Sequence, residues 1–237
     1  MKTPLLACAA ALTLATLPSV SFADLAFNAG ATTDYRYRGI SQTRLKPALQ
    51  AGVDYSAGGF YVGAWGSTIK WVEDAGGDAN VEVDLYGGYK GELAAGLGYD
   101  VGVLSYVYPS NKLPTSANTT ELYGAVTYGP ATLKYSHAVT DTFGNPDSKN
   151  SYYVDLSAGF DLGNGLTLTP HIGYQGIKGP AKDLASYTDV ALTLAKDFGG
   201  VQLSVSLVGT DADKSFYTVK GKELGKTGVV VGLKTSF

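Results

Sequence analysis

Two histidines, His137 and His171, are the only imidazoles in 237 residues, and they bound any acid–base chemistry the chain can do. Ser136 beside His137 is a starting point for a serine–histidine nucleophile, but no third member and no oxyanion donor is fixed by spacing. His171 has polar neighbours at Thr169 and Gln175 and reads as an incidental imidazole on a polar face. The run Gly221-Lys222-Glu223-Leu224-Gly225-Lys226-Thr227 imitates a phosphate loop, yet it has three residues between the glycines and no following helix. The motif needs four, so a solvated loop is the better reading. Asp74, Asp78, Asp211 and Asp213 carry the oxygens that Ca²⁺ takes, although unpaired loop carboxylates explain them as well. Asn118-Thr119-Thr120 matches a glycosylation acceptor. Cys8 is the only cysteine and lies in the leader, so the mature chain has no disulfide or thiolate chemistry. No catalytic set, metal or cofactor is expected.

The remaining chemistry is electrostatic, and periodicity organises it. Leu25, Phe27, Ala29, Ala31, Tyr35 and Tyr37 share one face, while Asn28, Gly30, Thr32, Asp34, Arg36 and Arg38 share the other. Leu45, Leu49, Ala51, Val53 and Tyr55 oppose Lys46, Gln50, Asp54 and Ser56. The same alternation recurs around Val81–Lys90, Tyr152–Asp161, Leu166–Gln175, Val201–Leu207 and Val229–Phe237. A period of two is a strand signal. With 31 glycines and 17 tyrosines, composition also favours strands and turns over helices.

The N-terminus, Met1 to Ala23, has Lys2, an apolar run from Leu5 to Leu17, and Ser21-Phe22-Ala23 before the expected cut. It reads as a cleaved secretory signal peptide, residues 1–23, which leaves 24–237 as one domain. Without Lys2 the mature chain has seventeen basic against 21 acidic side chains, a balance of −4 that argues against nucleic acid as a partner. Beyond the leader no apolar run approaches 18 residues, so any membrane crossing has to use strands.

Connections alternate in length. Short ones fall at Ser56–Gly59, Gly91-Glu92, Gly129-Pro130, Leu162–Gly165 and Asp197–Gly200. Long ones run over 39–44, 71–79, 109–118, 141–150, 176–185 and 211–226. Twelve strands with short turns on one side and long loops on the other predict an all-β, transmembrane, antiparallel up-and-down barrel of the bacterial outer membrane. The sheet must close because lipid leaves no partner for an open edge. Tyr35, Tyr37, Tyr55, Tyr89, Tyr128 and Tyr174 are expected in the aromatic girdles at the headgroups. The last strand ends in Phe237, like the signal that the barrel-assembly machinery reads; outer-membrane lipid and lipopolysaccharide are the other expected partners.

The inner face then carries the function. Its pore-lining candidates are Asp34, Arg36, Arg38, Lys46, Asp54, Glu82, Asp84, Lys90, Lys134, Asp155, His171 and Lys234, joined by Asp100, Glu121 and Asp189. Arg36 and Arg38 with Asp34 and Asp54 form the expected selectivity patch. Inward Tyr61, Trp65, Tyr86, Tyr106, Tyr123 and Tyr153 are expected to narrow the lumen. Three readings follow: a channel passing small hydrophilic solutes or ions, a non-conducting barrel whose loops bind a partner, and an outer-membrane lipid-modifying enzyme. Inward folding of the last loop, 211–226, would indicate a closed or gated barrel, and outward projection would favour partner binding.

Thr33-Asp34-Tyr35-Arg36-Tyr37-Arg38-Gly39-Ile40-Ser41-Gln42-Thr43 resembles the N-terminal signature of the TorF-type porin family of proteobacteria. The likeness continues through Pro47–Gln50, Asp54-Tyr55, Gly59–Ser67 and Glu82–Tyr89, and its first third is the specific part. The resemblance implies an outer-membrane barrel and a pore, with no established substrate and no catalytic residues.

Overall fold

The computed structural model describes residues 24–237; the expected signal peptide lies outside the described residues. Twelve strands close into one antiparallel barrel. They are β1 (Asp24–Thr32), β2 (Ala48–Ala57), β3 (Phe60–Thr68), β4 (Val81–Ala94), β5 (Leu97–Val107) and β6 (Thr119–Tyr128). The other half is β7 (Ala131–Ala138), β8 (Tyr152–Ala158, resumed after Gly159 by Phe160–Asp161), β9 (Leu166–Gly176), β10 (Tyr187–Asp197), β11 (Val201–Thr210) and β12 (Gly228–Ser236). Each strand pairs with its sequence neighbour, and β1 pairs with β12 from Asn28↔Ser236 to Thr32↔Gly232. Phe27 and Phe237 extend that seam with reciprocal backbone hydrogen bonds of 2.9 and 3.0 Å. Among the described residues the barrel sheet has no open edge.

Turn chemistry fixes the short connections. Gly58 and Gly59 both have positive φ, +56° and +88°, so the β2–β3 link is a two-residue turn whose twist suits a hairpin. The β4–β5 turn lies at Ala95-Gly96, four residues beyond the expected Gly91-Glu92. Gly91 and Glu92 stay paired with Tyr99 and Gly98, a bulge follows, and the Gly96 amide donates to Glu92 Oε1 at 2.8 Å. That bulge hides the true turn in a glycine-dense sequence.

The middle of the outer face is apolar. Leu85, Leu122, Leu156, Leu192, Val205 and Val229 all project outward and stand 44–63% exposed. Tyr55, Tyr128 and Tyr174 are also exposed. A charge at the middle of this band would cost about 2–4 kcal/mol in lipid, so the strand phase cannot slip.

The packed core is inside the barrel, toward the end that carries the long loops. Tyr35, Ala48, Trp65, Ile69, Val72, Ala79, Tyr106, Tyr108 and Ala117 form one buried cluster. Two short helices, α1 (Trp71–Asp74) and α2 (Lys182–Ala185), sit in those loops. Tyr35 and Tyr37 therefore depart from the expected aromatic girdle. β1 ends at Thr32, and the next residues form a small hairpin, Arg36–Tyr37 against Ile40–Ser41. Its turn residues, Arg38 and Gly39, have φ of +47° and +80°, which ends the extended run that alternation suggested. Gly39 has no room for a side chain either, since a Cβ there would lie 2.4 Å from Thr210 Cγ2.

Candidate functional site

The first loop, residues 33–47, folds into the lumen and meets side chains from most of the barrel wall. The Tyr35 hydroxyl donates to Glu82 Oε1 at 2.5 Å, and its ring packs edge-on against Trp65. Tyr108 donates to the other Glu82 oxygen at 2.6 Å. Tyr37 donates to the Tyr106 hydroxyl at 2.7 Å, with Phe143 of a later loop against both rings. Arg38 reaches across to Gln175 Oε1 at 2.6 Å and Glu121 Oε2 at 2.7 Å, and stacks over the Tyr153 ring at 4.3 Å. One guanidinium thus links β6, β8 and β9. Its planar fork and flat face suit the combined role.

The expected selectivity patch separates into parts. Asp34 and Arg36 form an ion pair of 2.5 Å with side chains 8% and 7% exposed. Asp34 Oδ1 accepts hydrogen bonds from Ser41 and Thr43, and Arg36 Nη1 donates to the carbonyls of Gly39, Leu224 and Lys226. Both charges are consumed in fastening the first loop to the last. Asp54 lies apart on β2, where it accepts the Tyr86 hydroxyl. Lys46 is exposed in the loop itself, because Arg44 and Leu45 take left-handed φ and β2 begins only at Ala48. The expected pairing of Leu45 and Lys46 across one strand is corrected accordingly.

The other candidates face inward. His171 Nε2 lies 2.6 Å from Asp155 Oδ2, and its Nδ1 is 3.5 Å from Asp189 Oδ1. Tyr153 donates to Asp189 Oδ2 at 2.9 Å. Toward the short turns, Lys134 sits 4.0 Å from the Tyr123 ring centre and Lys90 stacks on Tyr61. Tyr61 bonds Asp100 at 2.5 Å and also contacts the Tyr123 hydroxyl. Lys234 faces inward from β12 opposite Gly30. Glu82 and Asp84 are 1% and 3% exposed.

Wall asymmetry went unseen in the sequence. Strands β3 to β8 place large rings and charges inside, whereas the middle stretches of β10 to β12 and of β1 place mostly small residues there, with Asp189 and Lys234 as charged exceptions. Thr193, Ala195, Ser204, Ser206, Gly232 and Gly30 are partly solvent-accessible there, between outward Leu194, Val205 and Leu233. The signal was present as a run of small residues at alternate positions after 190.

The last loop lies over the first. Ile40, Tyr187 and Leu224 form a second buried cluster with Tyr217 and Val219 beside it. Asp74 of α1 is the shared anchor: Arg44 of the first loop pairs with it, and Lys220 of the last loop approaches to 3.0 Å. Burial alone would raise the Asp74 carboxyl, but hydrogen bonds and charge from Arg44 and Lys220 outweigh burial and hold it below the usual range. A lowered carboxyl stabilises the folded state above its unfolded value, about 3.9, and that contribution is lost as pH falls through the lowered value. Loop proteolysis is therefore expected to stay slow through mild acid and to accelerate only at lower pH. Asp74→Asn should show the faster cleavage already at neutral pH; equal rates for the two proteins would refute the anchor.

Ser136 and His137 point to opposite faces. Ser136 is buried inward, whereas His137 faces outward between the Tyr135 hydroxyl at 3.1 Å and Asn150 Oδ1 at 3.2 Å. The proposed nucleophile and base do not meet. Among the described residues no cluster of His, Asp or Glu has metal-holding geometry.

Residues 18–237 match a bacterial family described as a protein of unknown function, Gcw_chp. The chain belongs to that family. No curated protein sequence matches it. Among solved structures the barrel of this family member is similar to the KdgM porin in complex with disordered oligogalacturonate, with a TM-score of 0.57 at 10% identity over 91% of this chain and 99% of that one. It is also similar to the NanC porin, with a TM-score of 0.55 at 11% identity over 90% and 99%. At such identities the likeness is one of fold.

Proposed function

We propose that the protein is an outer-membrane channel for small hydrophilic solutes and ions, as the resemblance to TorF-type porins implies. The observation that carries this reading is a closed barrel with an apolar outer band and one accessible wall of small polar residues beneath a loop-narrowed mouth. The route follows that wall, past Thr193, Ser204, Ser206 and Gly232.

Export through the leader, insertion by the assembly machinery through the strand ending at Phe237, and contact with lipopolysaccharide belong to the same reading. Single-channel recording of the refolded mature chain in a planar bilayer under a KCl gradient tests it. We expect steady conductance, and its reversal potential reads which inward charges the ions meet. A sealed barrel without current would reject the channel.

A further inference from the structure

The outward face carries a polar cluster that plays no part in conduction, at the end of the sheet nearest the long loops. His137 of β7 is opposite Tyr152 of β8, and Tyr152 is opposite Gly176 of β9, so these three form the last paired row there. Below them an apolar groove of about 380 Å³ lies on the outside of β4 to β7. We propose that this surface is a binding site for lipopolysaccharide, with a phosphate at the row of His137 and one acyl chain in the groove. The inference deepens the outer-membrane reading and rests on it for the lipid that meets this face.

Packing brings the donors together. His137 Nδ1 lies 3.1 Å from the Tyr135 hydroxyl, and its Nε2 is 3.2 Å from Asn150 Oδ1. That contact engages the oxygen of the amide and leaves its nitrogen, a double donor. Asn150 is itself tied to β7, its N–H on the Ala138 carbonyl at 3.0 Å. The Tyr152 ring lies across Gly176, where a Cβ would stand 2.5 Å from Cζ. Lys178 follows two residues later. Its N–H bonds Ser151 Oγ at 2.9 Å, and its ammonium stands 5.6 Å from the centre of the Tyr152 ring. Among the described residues no carboxylate pairs with Lys178, and neither Asn150 Nδ2 nor the Tyr152 hydroxyl has an acceptor. Asp141 of the same loop accepts the Ser148 and Lys149 amides instead. An ammonium, an amide nitrogen and a phenol thus meet at one height without an anion, and phosphate oxygens accept from all three.

The groove takes the other half of the ligand. Tyr135, one row below His137, walls its top, and Gly124 opposite Tyr135 is its floor. A Cβ on Gly124 would meet only Val101 Cγ1, at 4.0 Å, so the floor lies open between outward Val101, Val126 and Leu133. From His137 down to Leu133 is about 13 Å along the strand, so a chain lying in the groove brings its headgroup to the donors. Long loops of such barrels face the cell exterior, the side where lipopolysaccharide forms the leaflet. A phospholipid of the inner leaflet would present its phosphate at the opposite end of the barrel.

The test is native mass spectrometry of the refolded mature barrel in detergent, which counts bound lipid directly. The probes are bisphosphorylated lipid A, its dephosphorylated form and phosphatidylglycerol. Lipid A is expected to bind at least tenfold more tightly than either of the others. Lys178→Gln should weaken it about tenfold, the loss typical of one charged hydrogen bond. Gly124→Leu, which fills the groove, should weaken it by a similar factor, and Lys182→Gln in the same loop should leave it unchanged. Heat-modifiable migration confirms that each variant is folded. Equal binding of dephosphorylated lipid A or of phosphatidylglycerol, displacement by inorganic phosphate alone, or binding unchanged in either Lys178→Gln or Gly124→Leu would overturn the site. Current in the bilayer with no preference for lipid A would reject the site alone. A lipid A complex of a barrel that never conducts would reject the channel alone.

Discussion

Replacing Arg38 with alanine is expected to cost about 3–5 kcal/mol of unfolding free energy. The size comes from what the substitution leaves behind. Glu121 has a side chain only 2% exposed, and its cation is the Arg38 guanidinium at 2.7 Å. Its remaining contact is the Tyr106 hydroxyl at 3.4 Å, too long to compensate a charge. Arg38 also holds Gln175 and covers the Tyr153 ring, so its loss frees the first loop from β8 and β9 together. Urea unfolding followed by tyrosine and tryptophan fluorescence measures the loss. Adding Glu121→Gln should recover most of it, because the stranded charge disappears. A loss below about 1 kcal/mol, the scale of an exposed pair, would mean that water already solvates this site and that the loop is not packed. In the bilayer the same variant should pass more current, since the loop narrows the mouth.

The second large effect lies on the other side of the wall. Leu192 is 47% exposed near the centre of β10, facing the same way as Leu194 and Val190. Leu192→Lys is expected to lower stability in lipid bilayers by about 2–4 kcal/mol, because a cation at the midplane is stripped of water. Its sequence neighbour is the control. Thr193 faces the lumen and hydrogen-bonds Ser206 at 2.8 Å, so Thr193→Lys should change stability far less while shifting the reversal potential toward chloride. If the two lysines cost the same, the outer face is not the lipid face.

The contrast between Leu192 and Thr193 is written in the sequence itself. Lipid and lumen impose opposite demands at every step of a strand, so β9, β11 and β12 print their phase plainly in alternating residues. Loops carry no such rule. Tyr35 and Tyr37 continue the alternation of β1 by accident, and only the left-handed Arg38-Gly39 pair, which lacks the usual asparagine or aspartate, turns them inward. Asp34, Arg36 and Arg38, expected as a selectivity patch, are instead bonded within the protein. Their partners are Ser41 and Thr43 nearby, the Leu224 carbonyl 188 residues away, and Glu121 83 residues away. Sequence spacing has no access to such contacts, because they depend on which strands the closed circuit sets across from one another. Asp54 shared the polar face but not the depth, and it joined Tyr86 in place of the arginines.

The seam between β1 and β12 has a consequence in time. Asn28 pairs with Ser236, so the last hydrogen bonds to form join the two ends of the chain. Every other strand can find its neighbour within a hairpin or one long loop, but this ladder waits until the whole polypeptide has emerged. Contacts of such separation are slow, because loop closure must be bought before it is rewarded. Until then both seam strands expose unpaired backbone that any other nascent strand could capture. A chain shortened by its final strand would keep ten of its hairpins and leave both remaining edges of the sheet unpaired. Its fate would be decided by how fast proteases reach it, not by how stable its hairpins are.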